Sequence, residues 1–341
     1  MHSIKYLKEQ LKQSTNIAII GHKEPDADNL SSMISIKRAL LNTEKLNNIK
    51  NIDMFSECDT IDSIYDPITK DEIFCLNPNY EQYDLAICVD CPTPLRMGKY
   101  ENVFKNAKST ILVDHHDCNE LFADNNFVYK CSSTCELIYI LFKALDIDVN
   151  NDVLKLIYAG IITDTVNLTQ GTVKVSSYRI VAEIAEKIND IDSLNAIKDH
   201  FLKNNTKSNL KLLERALHSM TFYLNDKVAI MKITGDDLQS ANATQTDTLG
   251  IVNNAINIKG VYIAILFIKQ SDGSYYASIR GKNGVDVSSI ANALGGGGHE
   301  TVAAFTHDEK LSELKEVLLN LCKNALPTED DDDDSENLFE E

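Results

Sequence analysis

Basic charge is what this sequence is short of. Its 341 residues carry 33 Lys and Arg against 51 Asp and Glu, a formal charge of −18. Nine of the acids stand in residues 329–341 with no base among them, and the remainder still sums to −9. A chain of that sign generates no global field drawing it to long nucleic acid or anionic membranes. A small phosphorylated ligand stays open to it where local cations supply the attraction. Long apolar runs are also missing. No stretch approaches the ~20 consecutive apolar residues of a membrane helix, and residues 1–15 lack the apolar segment of a signal peptide. The expectation is a cytoplasmic protein. Eight cysteines are too few for a disulfide scaffold. Cys88-x-x-Cys91 and Cys131-x-x-x-Cys135 have spacings that raise a zinc–thiolate site. Cys88 lies in an apolar run that reads as a buried strand, however, and side chains three apart on a strand face opposite ways, so the thiols diverge unless Cys91 stands past the strand end. Core cysteines are expected instead. No repeat of solenoid period is present.

What the sequence does contain is two successive patterns, and its length suits two domains. In the first half, apolar runs at 16–20, 51–55, 84–89 and 110–113 read as strands. Between and after them, 31–41, 133–145, 152–162 and 175–188 read as helices, with Ser133 and Glu136 spaced as a capping box. Continuously apolar strands alternating with helices predict an α/β domain with a mostly parallel sheet over 1–189. Residues 190–220 are helical and polar, expected to be a linker. Strands at 228–233, 261–268 and 275–280, a turn at Gln270-Ser-Asp-Gly273, and helices at 248–257, 287–293 and 311–322 predict a smaller α+β domain over 221–327. The acidic tail, 328–341, is expected to be disordered.

Ligands of open α/β sheets collect beyond the carboxyl ends of the strands. After the first strand comes Gly-His22-Lys-Glu-Pro-Asp26-Ala-Asp28, after the third Asp90, and after the fourth Asp114-His115-His116. The helix over 152–162 ends on Thr-Asp164-Thr. All four termini deliver a carboxylate, and two deliver imidazoles. Converging carboxylates repel strongly in a partly dry cleft. Two divalent cations would offset Asp26, Asp28, Asp90 and Asp164, and oxygen and imidazole donors without thiolate favour Mn²⁺, with Mg²⁺ or Co²⁺ as alternatives. Such a pair suits in-line displacement at phosphorus. In the second half, Ser278-Ile-Arg280 precedes Gly295-Gly296-Gly297-Gly298-His299. Glycines let backbone amides approach an anion, and an arginine fork can grip phosphate. A flexible hinge is the competing account of the four glycines.

GHKEPDAD, VDC, VDHH and GIITDT, in that order, resemble the four motifs of the DHH phosphoesterase superfamily, and SIRGKNGVDVSSIANALGGGGH resembles its associated C-terminal substrate-binding domain. Length and simplicity are similar to the NrnA-like branch, bacterial oligoribonucleases that also dephosphorylate 3′-phosphoadenosine 5′-phosphate. The resemblance implies an active site in a cleft between the two domains. It implies one metal on His22 and Asp26, a second on Asp28, His115 and Asp164, and Asp90 bridging both. His116 would meet the substrate phosphate as a contact or proton donor, with Asp114 orienting a neighbouring histidine. Arg280, Gly295 to Gly298 and His299 would bind the rest of the nucleotide. Where the family commonly has D-x-D-A-x-G-S, this chain has Asp26-Ala-Asp28-Asn29-Leu30-Ser31-Ser32, a serine in the glycine's place.

The expected activity is metal-dependent hydrolysis of short oligoribonucleotides or linear dinucleotides to nucleoside 5′-monophosphates, with removal of the 3′-phosphate of 3′-phosphoadenosine 5′-phosphate. Partners are a short RNA or small nucleotide, no long nucleic acid and no membrane, with a homodimer as a family-level expectation. The alternatives are a RecJ-like single-strand exonuclease, a cyclic dinucleotide phosphodiesterase, and a non-enzymatic nucleotide-binding regulator. An acidic surface without a basic track fits a short ligand best.

Overall fold

A computed structural model describes residues 4–57, 61–116, 121–169, 173–203, 206–308 and 311–327. The acidic tail lies outside the described residues. The chain divides into two units, Met1–Asn204 and Asn205–Glu341.

In chain order the first unit contains α1 (Ile4–Gln13), β1 (Asn16–Ile20), α2 (Ala27–Leu41), β2 (Asn51–Phe55), α3 (Asp66–Thr69), β3 (Leu85–Val89), α4 (Glu101–Lys105), β4 (Thr110–Asp114), β5 (Asn125–Val128), α5 (Thr134–Leu145), α6 (Asn151–Asp164), α7 (Val175–Ile188) and α8 (Ile191–Lys203). Its five strands form one parallel sheet in the order β2-β1-β3-β4-β5. All five residues of β3 and of β4 are buried, as a sheet covered on both faces requires. Alternation splits β1 between two cores: Ile17 and Ile19 join one with α2, α5 and α6, while Ala18 and Ile20 join the other with Phe55, Met97 and Tyr100.

Several features differ from the sequence expectation. β5 is Asn-Asn-Phe-Val with alternate burial, and no continuous apolar run announces it. α2 begins at Ala27 rather than at residue 31, because the Asp26 side chain accepts the Asn29 N–H and caps it. Asp28 therefore sits in the first helical turn. The span expected as a helical linker, 190–220, does hold two helices with the unit boundary between them, but each belongs to a unit and neither stands as a separate linker. α8 packs on α6 in the first unit, and the helix over 207–219 belongs to the second.

The second unit contains α9 (Lys207–Ser219), β6 (Thr221–Tyr223), β7 (Val228–Ile233), α10 (Gly235–Ala241), α11 (Ile251–Ile256), β8 (Ile263–Lys269), β9 (Tyr275–Gly281), α12 (Val287–Ala293), β10 (Gly297–Gly298), β11 (Val302–His307) and α13 (Leu311–Ala325). Its six-stranded sheet runs β10-β11-β9-β8-β7-β6, with β7 and β8 parallel and the other pairs antiparallel. Two cores cover its faces. α11 is shorter than the helix expected over 248–257 because Gly250 takes a left-handed φ of 76° at its start. No helix among the described residues is long and apolar enough to cross a membrane.

Candidate metal centre

Parallel pairing of β1, β3 and β4 brings their carboxyl ends to one edge, and the titratable groups expected after each strand meet there. Asp90 stands at the middle. Its Oδ2 lies 3.5 Å from His22 Nε2, and its Oδ1 lies 3.6 Å from His115 Nε2 and 3.5 Å from His116 Nδ1. A left-handed φ of 60° turns the chain at this residue, while its N–H still donates to the Val113 carbonyl at 3.0 Å. That backbone conformation costs a non-glycine residue about 1–3 kcal/mol and persists only where the surroundings impose it.

Several overlapping groups of potential ligands meet at this centre, and two of them correspond to the two expected ion positions. His22, Asp26 and Asp90 form one, and Asp28, His115 and Asp164 form the other; in each, one donor atom per residue lies within 4.8 Å of the rest. His22 Nε2 is 3.9 Å from Asp26, and His115 Nε2 is 3.5 Å from Asp164. The His115 Nδ1 faces the Cys131 carbonyl at 3.3 Å, which places a ring proton there and leaves Nε2 facing the carboxylates. Asp114, wholly buried, meets His116 Nδ1 at 2.8 Å and accepts the His116 N–H at 3.2 Å, so it orients that ring.

The electrostatics describe a site short of positive charge. Burial, then the charge of Asp90, push the Asp28 carboxyl up to about 7 against the opposing pull of His115. Burial and the charges of Asp28, Asp26 and Asp90 push Asp164 well above the ordinary range. Burial also works against ionised Asp90, but the His22 contact and the charges of His116 and His115 outweigh it and hold that carboxyl low. Burial lowers both His115 and His116; the carboxylates around them prevail and leave both raised. Oxygen and nitrogen donors at these separations, on carboxylates whose joint ionisation is opposed, fit a pair of divalent cations.

Several contributors carry no signal that motif spacing could reveal. The Thr134 hydroxyl donates to Asp90 Oδ1 at 2.9 Å, and the backbone N–H groups of Thr134 and Cys135 donate to the two Asp28 oxygens at 2.7 and 3.0 Å. The start of α5 therefore holds two carboxylates at once, an arrangement helix N-termini favour. The only hint in the sequence was the Ser133 cap. Arg96 Nη2 lies 3.2 Å from His22 Nδ1. Gly160, one turn before Asp164, is constrained by space, since a Cβ there would meet Cys135 Sγ at 2.3 Å and Asp28 Oδ1 at 2.6 Å.

Cys88 and Cys91 are both buried, as expected of core cysteines, and β3 ends at Val89, so Cys91 lies past the strand end and the two thiols do not diverge. The turn at Asp90 brings the two thiols together; burial and the Cys88 thiol push Cys91 well up. Among the described residues, no metal-competent group of three includes a cysteine.

In the second unit, Arg280 lies on β9, with Nη1 donating to Ser278 Oγ at 3.1 Å and to the Ile279 carbonyl at 2.9 Å. Its Nε is buried with no hydrogen-bond partner among the described residues. The four glycines form ordered backbone. Gly295 N donates to Asn292 O and Gly296 N to Ala291 O, a paired closure of α12 with Gly295 at a left-handed φ of 78°. A Cβ at Gly296 would stand 2.1 Å from the Ala304 carbonyl; Gly297 and Gly298 pair with β11 as β10, and His299 N donates to Val302 O.

Comparison with known proteins agrees with this order of parts. The DHH family, N-terminal domain, matches residues 16–161, and the DHHA1 domain matches residues 225–324. The chain is 24% identical over 331 residues to a probable bifunctional oligoribonuclease and PAP phosphatase NrnA of Streptococcus mutans, covering 96% of this chain and 100% of that one. It is 26% identical to the cyclic-di-AMP phosphodiesterase GdpP of Geobacillus thermodenitrificans, covering 94% of this chain and 50% of that protein. Among solved structures, an exopolyphosphatase-related protein from Bacteroides fragilis shares the fold with a TM-score of 0.80 at 21% identity, covering 94% of this chain and 95% of that one. The chain thus carries a DHH family N-terminal domain followed by a DHHA1 domain.

Proposed function

We propose that this chain is a metal-dependent phosphohydrolase that cleaves short oligoribonucleotides to nucleoside 5′-monophosphates and removes the 3′-phosphate of 3′-phosphoadenosine 5′-phosphate. The observation that carries it is the position of Asp90, within 3.6 Å of His22, His115 and His116 at the meeting point of both ligand-bearing groups. The likeness to the Streptococcus mutans NrnA over nearly the whole of both chains supports the choice of substrate.

In this reading His22 and Asp26 would hold one ion and Asp28, His115 and Asp164 the other, with Asp90 available to both. Mn²⁺ is the ion favoured by this donor set, with Mg²⁺ or Co²⁺ as alternatives. When bound, such ions would supply Lewis acidity to the phosphoryl oxygens and lower the pKa of water. Asp114 fixes the His116 ring through Nδ1, so proton exchange with the leaving oxygen falls to Nε2. Thr134 and the first amides of α5 hold Asp90 and Asp28 in place. Arg280, Gly295 to Gly298 and His299 are assigned to the remainder of the nucleotide, as the resemblance implies; the amides of Gly295, Gly296 and His299 are already hydrogen-bonded within the second unit. A cytoplasmic location and a homodimer complete the reading, and light scattering tests the dimer.

The deciding experiment measures turnover of pApA and of 3′-phosphoadenosine 5′-phosphate with Mn²⁺ and with chelator, beside Asp90→Asn. Mn²⁺-dependent AMP release that the variant lacks establishes the activity. No turnover of either substrate with metal demonstrably bound overturns it. Cyclic di-AMP is the second substrate to try, on the strength of the likeness to GdpP.

A further inference from the structure

Arg96 touches the metal centre without belonging to either ligand group. It lies in the short 3-10 segment Pro94–Tyr100 after β3. Its carbonyl accepts the Lys23 N–H at 2.8 Å, which joins this segment to the loop carrying His22. The guanidinium sends Nη1 to Glu24 Oε2 at 2.9 Å and Nη2 to His22 Nδ1 at 3.2 Å. A guanidinium has donors only, so the ring atom it meets is the acceptor. His22 then carries its proton on Nε2, the atom that faces Asp90 and Asp26.

A neutral imidazole has one lone pair. To offer that pair to a cation from Nε2, His22 must lose the proton there and take one up on Nδ1. That new N–H would confront the N–H of Arg96, and two donors cannot share the contact. One of them has to leave. The His22 side chain is buried, whereas those of Arg96 and Glu24 are 34% and 74% exposed, so the guanidinium is the group with room to move.

We propose that a divalent cation bound at His22 displaces Arg96 from the ring, and that the released guanidinium binds a phosphate oxygen of the substrate, so that the anion is gripped tightly only when the metal is present. The identity of the anion rests on the phosphohydrolase reading; the displacement does not. Its planar fork suits two phosphate oxygens, and Glu24 keeps the arm near the site while competing for it.

The test uses the full chain and three variants, Arg96→Ala, Arg96→Lys and Glu24→Gln. Mn²⁺ affinity is measured by calorimetry, and AMP affinity is measured on Mn²⁺-loaded protein. Arg96→Ala is expected to bind Mn²⁺ at least as tightly as wild type and AMP roughly 10–100-fold more weakly, the range for losing a hydrogen bond to a charged group. Arg96→Lys restores only part of that loss, and Glu24→Gln, on an exposed side chain, binds AMP more tightly. Long-range proton–nitrogen correlations at His22 should show the ring proton on Nε2 without metal and on Nδ1 with Mg²⁺. A fall in Mn²⁺ affinity in Arg96→Ala, unchanged AMP affinity, or a proton on Nδ1 before metal is added each overturns the proposal. Turnover of pApA is scored separately. If wild type cleaves nothing while these binding results hold, the hydrolase reading fails and the metal-released anion site stands. If wild type cleaves pApA while Arg96→Ala retains its KM and AMP affinity, the Arg96 proposal fails alone.

Discussion

At Asp26 a single carboxylate oxygen accepts the Asn29 N–H that opens α2 and stands 3.9 Å from His22 Nε2. The two roles separate by substitution. Asp26→Asn keeps a good cap and removes the charge, so stability should change little while Mn²⁺ affinity falls. Asp26→Ala should lose both, including about 0.5–2 kcal/mol of stability. Urea melts beside metal titrations read the difference, and equal stability loss in both variants would defeat the account. Thr134 offers a similar division. Thr134→Val removes the hydroxyl donated to buried Asp90 and keeps the backbone amide on Asp28, so kcat should fall while Thr134→Ser retains most of it. A donor to a charged acceptor contributes about 1.5–3 kcal/mol, enough for at least tenfold. A full kcat in Thr134→Val would count against its positioning role. Neither Thr134 nor Arg96 was legible in the sequence: their partners lie 44 and 74 positions away, and no spacing rule spans such intervals.

Among the elements, α6 approaches α2 and α5 closely enough that Gly160 has no space for a methyl group. Glycine to alanine inside a helix ordinarily stabilises by about 1 kcal/mol. Here the overlap with Cys135 Sγ and Asp28 Oδ1 involves a packed thiol and an anchored carboxylate, and overpacking of that kind costs about 1–3 kcal/mol. Gly160→Ala should therefore lower the melting temperature and reduce Mn²⁺ affinity; a more stable, fully active variant would show the packing to be looser. The parallel strands were legible because unbroken apolar runs mark strands buried on both faces. The convergence of their aspartates and histidines was legible because carboxyl ends of parallel strands share one edge. β5 escaped because an edge strand with two asparagines has no such run. The start of α2 escaped because its cap is an aspartate also read as a metal donor.

For the whole molecule, the shifted groups set a direction with pH. Asp28, raised to about 7, and raised Asp164 bind protons more readily folded than unfolded, so both contribute stability at low pH that is lost as pH rises toward neutrality. His115 and His116, also raised, contribute stability below their unfolded pKa and lose it as pH climbs through the folded one. Asp90 is lowered, and its contribution is lost only in acid. The metal-free chain should accordingly melt at lower temperature at pH 8 than at pH 5.5, and Mn²⁺ should flatten or reverse that trend by favouring ionised carboxylates and neutral imidazoles. Scanning calorimetry with chelator and with Mn²⁺ checks this. Since every group involved lies in the first unit, the shift belongs to the transition that carries residues 1–204. A metal-free melting temperature that rises from pH 5.5 to 8 would contradict it.

The left-handed backbone of Asp90 separates what the fold needs from what the chemistry needs. Gly295, Gly296 and Gly298 are held by helix closure and strand pairing, so a descendant that abandoned catalysis would still need them to fold. No such need holds an aspartate at position 90, where asparagine or glycine accepts the same φ with less strain. Among diverged copies of this chain, drift at position 90 would therefore mark lost activity earlier than any change in the glycine run.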